Sequence, residues 1–129
     1  MKINLFAIAL FMLAIHNVTA QSTFDKWPAI KEFHSVMSQT FHPAEEGNLQ
    51  PIKTRSEELM NKASALLKTG IPEEFGTAAV YASAEKLQLK SKALHKLVLA
   101  KGSDAEITKS LTELHDVFHD IVGLCSEKH

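Results

Sequence analysis

The chain has 129 residues, with 14 lysines and arginines against 15 aspartates and glutamates and a net charge of −1 at pH 7. That balance supplies no basic surface for a nucleic-acid backbone, and the length is that of a single domain. One cysteine, Cys125, excludes an intramolecular disulfide framework.

The first twenty residues read as a cleaved signal peptide. Lys2 gives a short basic start, Leu5 to Ile15 is an apolar run too short to span a bilayer, and Val18-Thr19-Ala20 ends in small residues suited to signal peptidase. Gln21 is then the expected mature N-terminus, and residues 21–129 form the domain. Removing Lys2 leaves thirteen basic residues against fifteen acidic ones, a net charge of −2. No later stretch is long and apolar enough to serve as a transmembrane helix. The expected location is the periplasm or the cell exterior.

Four amphipathic helices are predicted in this domain. The first runs from Asp25 to Phe41, with Ile30, Phe33, Met37 and Phe41 at helical spacing, Pro28 in its first turn and Pro43 ending it. The second opens near Asn48 as N-cap, tolerates Pro51 in its first turn, carries Ile52, Leu59, Ala63 and Leu66, and closes at Gly70. The third covers Thr77 to Ala100, with Val80, Ala84, Leu87, Leu94 and Val98 inward and Gly102 at its end. The fourth begins at Ser103-Asp104-Ala105-Glu106, a capping-box pattern, and runs to Cys125 through Ile107, Leu111, Leu114, Phe118 and Ile121. No alternation of period two interrupts them. Short loops make sequential helices antiparallel, so the expected fold is all-α, an antiparallel up-down-up-down four-helix bundle.

The histidines carry the chemistry. His115 and His119 are four residues apart, on one helix face, where two imidazoles can reach one metal ion. At about 100° per residue, His34 and His115 fall on the flanks of their apolar stripes and His119 lies farther toward solvent. Antiparallel first and fourth helices would bring His34, His115 and His119 to one seam, with Met37 one turn along as a thioether donor. His95 turns instead toward the second helix. His42, with Glu45 and Glu46 in the following segment, offers a second or supplementary ligand set. Plain roles exist for each residue: flank histidines, core filler for Met37, and carboxylates complementing the next helix N-terminus for Glu45 and Glu46. Cys125 reads as a buried thiol near Trp27, an intermolecular partner or a ligand.

The segments Phe33-His34-x-x-Met37-x-x-x-Phe41-His42-Pro43-x-Glu45-Glu46-Gly47-Asn48 and His115-Asp116-x-Phe118-His119-x-Ile121-x-x-x-Cys125 resemble a group of small secreted bacterial four-helix proteins. The Ala20-Gln21 junction resembles those of Bacteroidetes. That resemblance implies an extracytoplasmic bundle and brings no activity with it. In architecture the chain is also similar to the periplasmic four-helix cytochromes, b-type and c-prime. The b-type likeness implies a noncovalent haem b held by Met37 with His115 or His119. The c-prime likeness stops at the missing Cys-x-x-Cys-His, since only Cys125 and the distant His129 remain.

Three functions follow as expectations. The first is a transition-metal-binding protein, not an enzyme, using His34, His115, His119 and Met37, with copper or zinc as the ion. The second is a haem b electron-transfer protein, and the third a metal-free bundle that binds a partner protein through its helical faces. No nucleophile elbow accompanies the serines. Asp116 points off the His115 face, so a hydrolytic zinc site lacks its general base.

Overall fold

The computed structural model describes residues 22–126; the signal peptide expected at 1–20 and His129 lie outside them. Four long helices follow in order: α1 (Pro28–Glu45), α2 (Gln50–Lys68), α3 (Ala78–Leu99) and α4 (Asp104–Ser126), with a 3-10 turn at Glu73–Phe75. Residues 22–26 add a helical turn ahead of α1. There is no strand among the described residues. No helix among them is long and apolar enough to cross a membrane.

Each helix packs on the next in sequence, and α4 also meets α1. The α1/α4 contact is the loosest of the four, its backbones held apart where Phe33, Phe41 and Phe118 project between them. The core is built from the expected stripes, with Ile30, Phe33 and Met37 on α1 facing Leu59 and Leu66, Leu87 and Leu94, and Leu111 and Leu114. Burying one such side chain stabilises the fold by about 1.5–3 kcal/mol before entropy is counted. Two of the buried hydroxyls are satisfied within their own helices: Thr40 donates to the Val36 carbonyl at 2.9 Å and Ser91 to that of Gln88 at 2.8 Å.

Helix boundaries differ most from the sequence expectation in three places. A turn at residues 22–26 precedes a break at Trp27 (φ −131°, ψ 84°), so α1 starts at Pro28, not Asp25. The proline disfavours the helical conformation for the residue before it. Pro43 does not end α1; the helix carries it and continues to Glu45. The stop is instead the motif at Gly47, whose φ of +87° lets Gly47 N–H donate to Ala44 O and Asn48 N–H to Pro43 O. Near the helix end the hydrogen bond that proline forfeits matters less, because the last turn is closed by these reversed bonds.

The end of α3 is the third difference. Lys101, not Gly102, takes the left-handed conformation at φ 58°, and Gly102 N–H donates to Leu97 O. Glycine is needed at 102 for space, since a Cβ there would strike the Leu97 side chain. Starts are closer to expectation. Thr77 Oγ1 accepts from Val80 N–H at 3.2 Å, and Ser103 Oγ from Glu106 N–H at 3.1 Å. Leu49 rather than Asn48 occupies the N-cap of α2, although Asn48 Oδ1 still accepts from Gln50 N–H.

Candidate functional site

On α4, His115 and His119 direct the same ring atom toward each other: the two Nε2 atoms are 3.2 Å apart and the rings stand edge to face at 80°. His115 is half-buried and His119 exposed, as their places relative to the α4 stripe require. The His115 ring is fixed from behind by Phe41 of α1, stacked at 3.8 Å and 12°. Burial, and after it the neighbouring His119, push the His115 pKa below its ordinary 6.5, against the opposing pull of Asp116 and Glu45. A ring held neutral keeps a lone pair for a donor proton or a cation.

His34 sits one level along the same seam in an aromatic stack. Phe24 lies on one side at 4.8 Å and 23°, and Phe118 is packed against it at 5.3 Å and 21°. Its Nε2 shares a 3.2 Å hydrogen bond with Ser38 Oγ. Burial first, then His119 and His42, lower its pKa as well. Phe118, packed against His34 at 5.3 Å and against His119 at 5.7 Å, links the two along the seam. Yet His34 is bonded to its own helix and does not share the convergence of His115 and His119.

The other candidates are distributed differently. Met37 is 1% exposed within the core, its thioether enclosed by apolar neighbours. His42, placed on α1 by the helix running through Pro43, is exposed and has its Nδ1 3.4 Å from Glu45 Oε1. Glu46 is the exposed C-cap of α1. Among the described residues no group of three or more His, Cys, Asp or Glu side chains is gathered to hold a metal ion. What the fold assembles is a pair. His95 faces α2, where its Nδ1 meets Ser56 Oγ at 2.9 Å.

Cys125 is half-buried, packed against the core but not enclosed by it. It lines a groove with Thr23, Lys26, Glu74 and Phe75, and burial, then Glu74, push its thiol pKa up to about 11. A thiol so protonated is a poor nucleophile at neutral pH.

Four contributors escape the sequence pattern. Phe24 was outside the predicted helices, Ser38 carried no motif, and Phe41 and Phe118 were read as core alone. The signal for the last two was there: each lies one helical turn or less from a histidine. A haem between α1 and α4 would need Met37 drawn out of the core and a slot through the seam. Phe33 and Phe118, with ring centres 5.6 Å apart, fill that level. The residues present do not fit that group.

No family model, no curated protein and no solved structure matches this chain.

Proposed function

We propose that the protein is an extracytoplasmic transition-metal-binding protein, with His115 and His119 as the chelating pair. The observation that carries this is the 3.2 Å between their Nε2 atoms. Metal–nitrogen bonds of about 2.0–2.1 Å to two such atoms enclose roughly 100° at the ion, close to a tetrahedral angle. A two-centre N–H···N hydrogen bond explains the same distance without a metal, and the ion replaces that proton when it binds. Imidazole pairs suit zinc and copper among common ions. With Met37 enclosed in the core and Cys125 lining a separate groove with Thr23, Lys26 and Glu74, the soft donors that would favour copper lie apart from the pair, so zinc comes first and copper second.

The remaining candidate ligands take lesser parts in this reading. His42 and Glu45 pair with each other at 3.4 Å and are not counted among the ligands. His34 orients the seam through its stack and joins the ion only if its bond to Ser38 is broken. Binding without chemistry is the proposed role. The signal peptide expected at residues 1–20 supports a periplasmic or secreted location, and with it the likeness to small secreted bacterial bundles.

The antiparallel up-down-up-down arrangement belongs to the same proposal. Its support is the direction in which contacts step. Glu32 pairs with Lys62 while Gln39 pairs with Arg55, so α2 numbers fall as α1 numbers rise. Ser64 meets Gln88 while Ser56 meets His95, and Phe118 meets His34 while His115 meets Phe41.

Metal analysis and a visible spectrum of protein purified from its native source test the function. Stoichiometric zinc or copper without a Soret band is the expected result. A Soret band, or protein free of metal after purification without chelators, contradicts it.

A further inference from the structure

A two-nitrogen chelate is half of a tetrahedral zinc site. Among the described residues the chain gathers no third ligand: His42 is turned to Glu45, His34 to Ser38, and Met37 lies in the core. The pair itself is accessible, because His119 is exposed on the outer side of α4. We propose that two copies of this chain close around one zinc ion, each contributing His115 and His119. This rests on the reading of that pair as ligands, and adds the partner that completes the site.

The geometry of the pair shapes the assembly. Residues four apart on a helix set the line between the two Nε2 atoms roughly along the α4 axis. In a tetrahedral ion the two chelate planes stand perpendicular, so the two α4 helices cross steeply on opposite sides of the zinc. The contact is isologous, the same patch meeting itself across a two-fold axis. Steep crossing leaves little protein area in contact, so the ion supplies most of the association energy. Charge points the same way. Asp116 and Asp120 are exposed beside the pair, and Glu45 is close enough to bear on His115. Two such acidic faces repel until a dication sits between them. The dimer is therefore zinc-dependent and reversed by chelation.

Light scattering coupled to size exclusion, on the purified protein in EDTA and then titrated with Zn²⁺, tests this. The mass should be that of a monomer in EDTA and twofold higher at half an equivalent of zinc. It should fall back toward the monomer in excess zinc, when every chain can take its own ion. His119→Ala should stay monomeric throughout, and His42→Ala should dimerise as the wild type does. Zinc bound at one ion per chain with no change in mass overturns the dimer and leaves the metal-binding reading standing. A dimer that persists in His119→Ala, or that is lost in His42→Ala, overturns the dimer as drawn. No zinc uptake by the wild type overturns both.

Discussion

The two histidine-bearing seams of this bundle use the same side chain in opposite ways. Between α2 and α3, His95 is half-buried and its Nδ1 meets the hydroxyl of Ser56, itself 3% exposed, at 2.9 Å. That ring has a partner supplied by the neighbouring helix and serves packing. Between α1 and α4, His115 and His119 have no hydrogen-bonding partner among the described residues but each other, at the bundle surface and beside acidic groups. A histidine satisfied by the fold is a structural element. Two histidines whose matching nitrogens converge without a third partner are available to something outside the fold.

The largest effect expected from breaking one side of this contrast is on packing. Phe118 is buried and touches Phe33, Phe24 and His34, so Phe118→Ala should cost about 3–5 kcal/mol of stability in urea unfolding. The chelating pair lies on one helix, and Phe118 meets His119 only obliquely, at 5.7 Å and 60°, so zinc affinity at native conditions should change little. A collapse of affinity along with stability would show that the pair depends on the whole seam. Next in size is Ser56→Ala, which leaves the His95 ring nitrogen without its partner. About 1–3 kcal/mol should be lost by the same assay, with metal binding unaltered.

Acid should separate the seams further. Burial lowers the His34 and His115 pKa values from 6.5, so the unfolded chain takes up protons before the folded one does. Their contribution to stability is whole above about pH 6.5 and is lost as pH falls through the lower folded values. Thermal scans on the metal-free protein should show the melting temperature dropping below that pH by more in wild type than in the His34→Gln, His115→Gln double variant. Equal slopes would place the acid sensitivity elsewhere. The smallest effect lies outside both seams. Lys101→Gly relieves a left-handed residue and should add about 0.5–1 kcal/mol, the αL relief less the entropy of glycine, without touching zinc affinity. Gly102→Ala, at the next residue, should destabilise by forcing Leu97 aside.

Most of the helical pattern was legible because apolar spacing is a global signal spread over many residues. Ile107, Leu111, Leu114, Phe118 and Ile121 all lie where their spacing put them, inside. The boundary errors came from single residues whose effect depends on neighbours. Pro43 was read as a stop, yet Gly47 one turn later supplies the reversed bonds that actually close α1. Lys101 adopts a conformation usually left to glycine because Gly102 is reserved for its close approach to Leu97. At the candidate site, rotation about the helix axis gave the flank positions of His34 and His115 and the exposure of His119. It could not give side-chain torsions. Those commit His34 to Ser38 and its aromatic stack, enclose Met37 in the core, and leave a pair where three imidazoles and a thioether were expected to converge.

The central claim is that the α4 pair binds an ion and the α2/α3 histidine does not. Calorimetric titration of Zn²⁺ and Cu²⁺ into wild type, His119→Ala and His95→Ala measures this directly. The account predicts saturable binding by wild type and His95→Ala with the same Kd, and binding at least tenfold weaker in His119→Ala. Identical isotherms for all three proteins, or no heat from either ion with the wild type, would contradict it.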